Sequence, residues 1–231
     1  MPAMPRIGML TIGQTPRDDI VPEMVRQIGV PVEVLQRGAI DGLSLAEVLE
    51  LAPQGDEQWS VSRMTDGTEV RLAMRELIPR MQQRVEELEA EGVDLIVPLC
   101  ASTWSALRVG VPFINSGVAL NAIVMAMVRP GGTLGVVAPT EAQAELAPRK
   151  NRFGELPLVA TYAQPYLADP AARREQCAAA GRYLADAGVD LIYMSCMGHT
   201  GEMRAAVRSA SGLPTLTANA LIAGLIAQAI A

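Results

Sequence analysis

Two cysteines, Cys100 and Cys196, stand at the same point of a repeated stretch. Gly92-Val93-Asp94-Leu95-Ile96-Val97-Pro98-Leu99-Cys100 recurs as Gly188-Val189-Asp190-Leu191-Ile192-Tyr193-Met194-Ser195-Cys196, so each thiol follows Gly-Val-Asp-Leu-Ile by the same interval. Two thiols set on opposite sides of a substrate suit proton transfer at carbon: a thiolate removes a proton from one face while a thiol delivers one to the other. A free thiol titrates near about 8.5, so modest stabilisation of its anion makes it a base near neutral pH. Such chemistry needs no cofactor if amides and hydroxyls hold the anionic intermediate in a dry cleft. A lone cysteine reads more simply as a small buried hydrophobe. The duplication favours the catalytic reading for this pair, whereas Cys177, inside an Ala-rich helical run without a counterpart, reads as structural.

Small polar residues follow each thiol. Ser102, Thr103 and Thr200 could grip a carboxylate with hydroxyls and helix-start amides, or could simply cap helices. Thr140, after another strand pattern, has the same two readings. Gln14, Thr15 and Arg17 end the first strand pattern at the same rim, and Arg17 could hold a carboxylate bidentately or be an ordinary surface arginine. Asn115 and Asn219 are weaker candidates. His199, the single histidine, could tune Cys196, contact substrate or serve the fold. The Cys-x-x-His spacing offers half a zinc site, but Cys100 and Cys177 are unsuitably spaced to complete it, so no metal is expected.

The elements that position these residues follow from patterning. Half of the 231 residues are hydrophobic and 3% aromatic, the balance of an α/β protein with buried parallel sheets. Strand patterns cover 6–12, 31–36, 111–115, 132–140, 159–162 and 213–217 besides the two repeated stretches. Helices are expected from about 18 to 29, 74 to 90, 116 to 128, 170 to 187 and 219 to 231, with a capping box at Ser44-Leu45-Ala46-Glu47. Ser60 to Leu72 reads as a β-hairpin around Asp66-Gly67, inserted in the first half only. The order implies two parallel-sheet halves, with Cys100 and Cys196 beyond the carboxyl ends of their strands, each just before a helix start, flanking one cleft.

A net charge of −6 without a basic run argues against nucleic acid. The apolar stretches 118–128 and 216–231 are too short to span a membrane. The opening residues lead into a strand pattern with no signal-peptide architecture, and three cysteines make no disulfide framework, so a cytoplasmic protein with reduced thiols is expected.

At Cys100-Ala101-Ser102-Thr103 and Cys196-Met197-Gly198-His199-Thr200 the chain resembles the aspartate/glutamate/hydantoin racemase superfamily, whose members pair a Cys-Asn-Thr-like with a Cys-Thr-His-like motif. Within it, Leu10-Thr11-Ile12-Gly13-Gln14-Thr15-Pro16-Arg17, the insertion around Arg63 and the tail around Asn219 to Ala223 are similar to the AroM family over nearly the whole chain. The resemblance implies two flavodoxin-like α/β halves related by pseudo-twofold symmetry, with the active site in the cleft between them. Residues 1–114 and 214–231 would form the first domain and 115–213 the second. It also implies pyridoxal-phosphate-independent chemistry at the α-carbon of a small carboxylic or amino acid, with Cys100 and Cys196 as acid and base. Gln14, Thr15, Arg17, Ala101, Ser102, Thr103, Thr140, Met197, Gly198, His199 and Thr200 would line the substrate. Cis–trans isomerisation or decarboxylation of a small diacid, or non-catalytic binding, are the alternatives on this scaffold; a homodimer is compatible with it. Two departures bear on the grip of the substrate: no asparagine follows Cys100, and an extra residue separates Cys196 from His199.

Overall fold

A computed structural model of the chain describes residues 3–230. The elements are β1 (Arg6–Thr11), α1 (Val21–Ile28), β2 (Glu33–Gly38), α2 (Leu45–Glu50), β3 (Trp59–Arg63), β4 (Glu69–Ala73), α3 (Met74–Ala90), β5 (Leu95–Pro98), α4 (Ser116–Met127), β6 (Leu134–Ala138), α5 (Glu141–Leu146), β7 (Leu158–Tyr162), α6 (Pro170–Asp186), β8 (Leu191–Met194), α7 (Gly201–Ser211), β9 (Thr215–Thr217) and α8 (Ala218–Ile230). They fall into two units, 1–116 with 226–231 and 117–225.

The repeated pentapeptide is the device that ties each crossover helix to its sheet. Gly92 and Gly188 take φ of 75° and 72° just past α3 and α6, a left-handed turn that a Cβ would oppose. Val93 and Val189 then donate back to Leu88 and Leu184 at 3.4 and 3.3 Å and bury their side chains. The aspartates come next. Asp94 accepts the Arg6 N–H at 2.8 Å, and Asp190 accepts the Thr133 N–H at 2.7 Å, so each carboxylate fastens its strand beside the start of the central one. Leu95, Ile96, Leu191 and Ile192 are buried in the two sheets.

Both sheets are parallel and share one strand order. The second is β7-β6-β8-β9; the first is β2-β1-β5, with Phe113 bridging in parallel to Ile96 where β9 lies in the other. That order is the 2-1-3-4 portion of the flavodoxin-like arrangement. The 111–115 strand expected from sequence is therefore only a bridge. The division at 213/214 expected from sequence also shifts, because β9 pairs with β8 and the second unit extends to 225.

In the first unit α3 places Leu77, Met81, Val85 and Leu88 on the sheet, each fully buried. Burial of four such side chains contributes roughly 6–12 kcal/mol before chain entropy is counted. In the second, α6 and α7 pack Cys177, Ala180, Leu184, Met203 and Val207 against β6 and β8. The capping box of α2 forms as expected. The hairpin closes through 64–68 rather than a two-residue turn, with Met64 donating to Thr68 at 2.8 Å and Gly67 at φ 93°. No helix among the described residues is long and apolar enough to cross a membrane.

Candidate active site

Both thiols sit at one equivalent point of the two units. The residue before each donates its N–H to the penultimate residue of the central strand: Leu99 to Leu10 at 2.6 Å and Ser195 to Val137 at 2.9 Å. Each cysteine is therefore the first residue to leave its sheet, at the carboxyl end where open parallel sheets bind ligands. Neither is joined in a disulfide, and both are half-buried.

The surroundings then diverge. No helix begins after Cys100; the chain stays irregular from 99 to 115. The expected helix start is absent because Trp104 anchors this segment instead, only 2% exposed, with its indole N–H donating to the Cys100 carbonyl at 3.4 Å and its amide to Asn115 Oδ1 at 3.1 Å. The Cys100 thiol donates to Ser102 Oγ at 3.4 Å, and Ser60 Oγ of β3 lies 3.5 Å from Ser102 Oγ. Ala101 is buried and Thr103 exposed.

Around Cys196 the sulfur accepts. The Gly198 N–H donates to it at 3.4 Å, and Tyr166 Oη stands 3.9 Å away. His199 is fully buried, with Nε2 2.9 Å from the Ala163 carbonyl and Nδ1 accepting the Cys196 N–H at 3.3 Å. These partners assign the neutral Nε2–H tautomer. Burial drives its pKa down to about 4, although the hydrogen bonds to backbone at Ala163 and Met194 oppose the shift. Both ring nitrogens thus face backbone groups, and the buried ring supports the loop from within. Met197 is buried, and Thr200 caps α7 by accepting the Met203 N–H at 3.3 Å. Thr140, also buried, caps α5 through the Gln143 N–H at 3.3 Å.

At the rim of β1, Gln14 clasps three segments. Its Nε2 donates to Leu43 O at 2.8 Å, and its Oε1 accepts from Thr65 N and Oγ1 at 2.9 and 3.1 Å. Thr15, before a cis bond to Pro16, gives its N–H and hydroxyl to the two oxygens of Asp41 at 2.7 and 2.8 Å. Arg17 is 3% exposed rather than a surface residue. The fork that could grip a substrate carboxylate is held by Asp19, through Nε at 2.9 Å and Nη2 at 2.8 Å, and Nη1 reaches Thr11 Oγ1 at 2.8 Å. Burial alone would raise the Asp19 pKa, but Arg17, with Arg63 3.8 Å away, holds it below the ordinary carboxylate range. The helix expected from Asp18 accordingly starts only at Val21, since Asp19 turns to Arg17.

The hairpin is part of this rim. A Cβ on Gly13 would lie 2.5 Å from the Arg63 carbonyl, so glycine is what lets β3 approach, and Gln14 N–H donates to that carbonyl at 3.2 Å. Sequence reasoning missed Tyr166, Trp104, Asp19 and Asp41. Trp104 had a signal, an indole inside a small-residue loop of a chain with two tryptophans. Among the described residues, no three His, Cys, Asp or Glu side chains gather where a metal ion could be held.

A doubled parallel sheet with a thiol at each carboxyl end places the chain in the fold of the aspartate/glutamate racemases. It is similar over 97% of its length to 81% of glutamate racemase RacE1 from Bacillus anthracis, with a TM-score of 0.61 at 16% identity. Aspartate racemase from Picrophilus torridus gives a TM-score of 0.59 at 11% identity, over 97% of this chain and 94% of that one. Unliganded arylmalonate decarboxylase gives 0.59 at 16% identity, over 98% and 92%. The AroM protein family model matches residues 7–230, and the chain belongs to the AroM family. No curated protein matches it by sequence.

Proposed function

We propose that this protein is a cofactor-independent racemase or epimerase of a small carboxylic acid, with Cys100 and Cys196 as its acid/base pair. One observation carries the reading: the two half-buried thiols hold the equivalent position in two units of identical strand order, each leaving its sheet where the preceding amide bonds the central strand. The likeness of fold to two amino-acid racemases supports it.

In this mechanism one sulfur, as thiolate, takes the proton from the α-carbon and becomes a thiol. The electron pair of the C–H bond passes into the carboxyl group as an ene-diolate. The other cysteine, as thiol, returns its own proton to the opposite face and is left as thiolate. The ene-diolate oxygens need donors that are fixed before the reaction, because groups already oriented cost no reorganisation as charge develops. The Ser102 and Thr103 hydroxyls after Cys100, and Thr200 with the helix-start amides after Cys196, are of the right type. General acid/base catalysis of this kind is worth about 10²–10⁴ in rate.

The test is exchange at the α-carbon in heavy water, followed by NMR over a panel of amino acids, hydroxy acids and diacids. Wild type should exchange at least one of them. Cys100→Ser and Cys196→Ser should lose about 10²–10⁴ of the racemisation rate, each keeping at most exchange of a single enantiomer. Serine variants that racemise like wild type would falsify the two-thiol reading, and so would a broad panel with no exchange. Carbon dioxide released from a malonate in the panel would move the activity to decarboxylation.

A further inference from the structure

The two sulfurs differ in what they do with hydrogen. The Cys100 thiol donates to Ser102 Oγ at 3.4 Å. Cys196 receives, taking the Gly198 N–H at 3.4 Å with the Tyr166 hydroxyl 3.9 Å away. An amide N–H aimed at sulfur favours the charged form, and a hydroxyl within reach of a thiolate can turn its proton toward it as a second donor.

Tyr166 reaches that position because of Gly198. A Cβ there would lie 2.8 Å from Tyr166 Cε1 and Oη, closer than packed carbon atoms come, so the missing side chain makes room for the ring. Gly198 thus gives its amide to Cys196 and its empty face to the phenol. His199 cannot supply a charge to the thiol: it is neutral, and its ring nitrogens face the Ala163 carbonyl and the Cys196 amide. The Gly198 N–H, from its own loop, and the Tyr166 hydroxyl, from the segment after β7, both face the sulfur.

We infer that Tyr166 is a positioning residue which, together with the Gly198 amide, holds Cys196 as the resting thiolate, so that Cys196 begins the reaction as base and Cys100 as acid. This rests on the two-thiol reading and gives it a direction. Removal of a substrate proton by Cys196 breaks the C–H bond and forms an S–H bond there, and the Tyr166 hydroxyl loses its charged partner. The Cys100 S–H breaks as its proton passes to carbon. The resting state returns when Cys196 gives up a proton to water and Cys100 takes one.

The test reads the thiol itself rather than activity. In full-length protein carrying Cys100→Ser, with Cys177 buried, iodoacetamide rates are measured against pH and assigned to Cys196 by peptide mass spectrometry. The mirror measurement follows Cys100 in a Cys196→Ser background. Cys196 should alkylate with the lower apparent pKa of the two. Tyr166→Phe, which keeps the ring on Gly198 and removes only the hydroxyl, should slow Cys196 alkylation at pH 7 by about tenfold and move its profile to higher pH, the scale of one charge-assisted hydrogen bond. Gly198→Ala, which displaces the ring, should shift it in the same direction. An unchanged profile in Tyr166→Phe, or a lower apparent pKa at Cys100 than at Cys196, overturns the inference. If the profile shifts while no substrate exchanges, the racemase reading fails and the inference about the thiol stands. If substrates exchange while the profile stays fixed, the reverse holds.

Discussion

Cys196 and His199 hold each other by two hydrogen bonds: the His199 N–H donates to the Cys196 carbonyl at 3.1 Å, and the Cys196 N–H donates to His199 Nδ1 at 3.3 Å. With Nε2 on the Ala163 carbonyl, the imidazole braces the turn that presents the thiol without touching the sulfur.

That brace requires a neutral ring, and stability should follow pH accordingly. The folded pKa is about 4, against about 6.5 for an unperturbed histidine. Between these values the unfolded chain binds the extra proton, so stabilisation is complete above about pH 6.5 and is lost as pH falls toward 4. At pH 5 the loss should be about 2 kcal/mol. Urea unfolding between pH 5 and 7 checks this, since His199 is the single histidine; in His199→Gln the slope over that window should be smaller by that amount.

The Arg17–Asp19 pair should be worth more than a surface ion pair, because the guanidinium is 3% exposed. Asp19→Asn removes the carboxylate that meets this buried cation at two of its nitrogens. The cost should be about 2–3 kcal/mol, below the full 3–5 because Asp19 keeps some exposure. Glu33→Gln, which breaks the exposed Arg6–Glu33 pair, should cost less than 1 kcal/mol. Urea midpoints of the two variants give the comparison. In wild type the Asp19 contribution is present above its unfolded pKa near 3.8 and disappears as acid protonates the folded carboxyl below it.

Gln14 joins three segments with both ends of one amide. Gln14→Ala leaves the Leu43 carbonyl and the Thr65 amide unpaired and should destabilise by about 2 kcal/mol. Gln14→Glu should be worse, since a carboxylate would face the Leu43 and Ile40 carbonyls. Limited proteolysis should cut the 64–68 turn faster in both.

Cys177 lies fully buried on α6, where burial pushes its thiol up to about 11 although Arg173 opposes it. Native protein treated with iodoacetamide near neutral pH should carry label on Cys100 and Cys196 only. Label on Cys177 should appear once urea unfolds the chain, as read by peptide mass.

The repeat was legible because a local physical task stands behind each of its letters: a left-handed glycine after a helix, a buried valine, an aspartate on a strand amide. Strand order and the equivalent thiols follow from it. The rim around the thiols was not legible to the same degree. Whether Arg17 meets a substrate or Asp19 depends on a side chain two residues on turning back, which no periodicity encodes. Tyr166 lies 30 positions from Cys196 and reaches it only because Gly198 has no side chain. The loop after Cys100 misled for a related reason: its residues suit a helix start, but Trp104 finds a buried site that holds the segment irregular.

The division of the chain also sets an order of completion. The second unit, 117–225, is one uninterrupted segment, whereas the first draws on 1–116 and on residues beyond 225. Synthesis runs from the N-terminus to the C-terminus, so the half that is begun first is finished last. The half that carries Cys100 and the hairpin thus lacks part of itself until the last turns of α8 have been made, after the whole of 117–225. Truncation within α8 would therefore tell first on the part of the molecule made at the start.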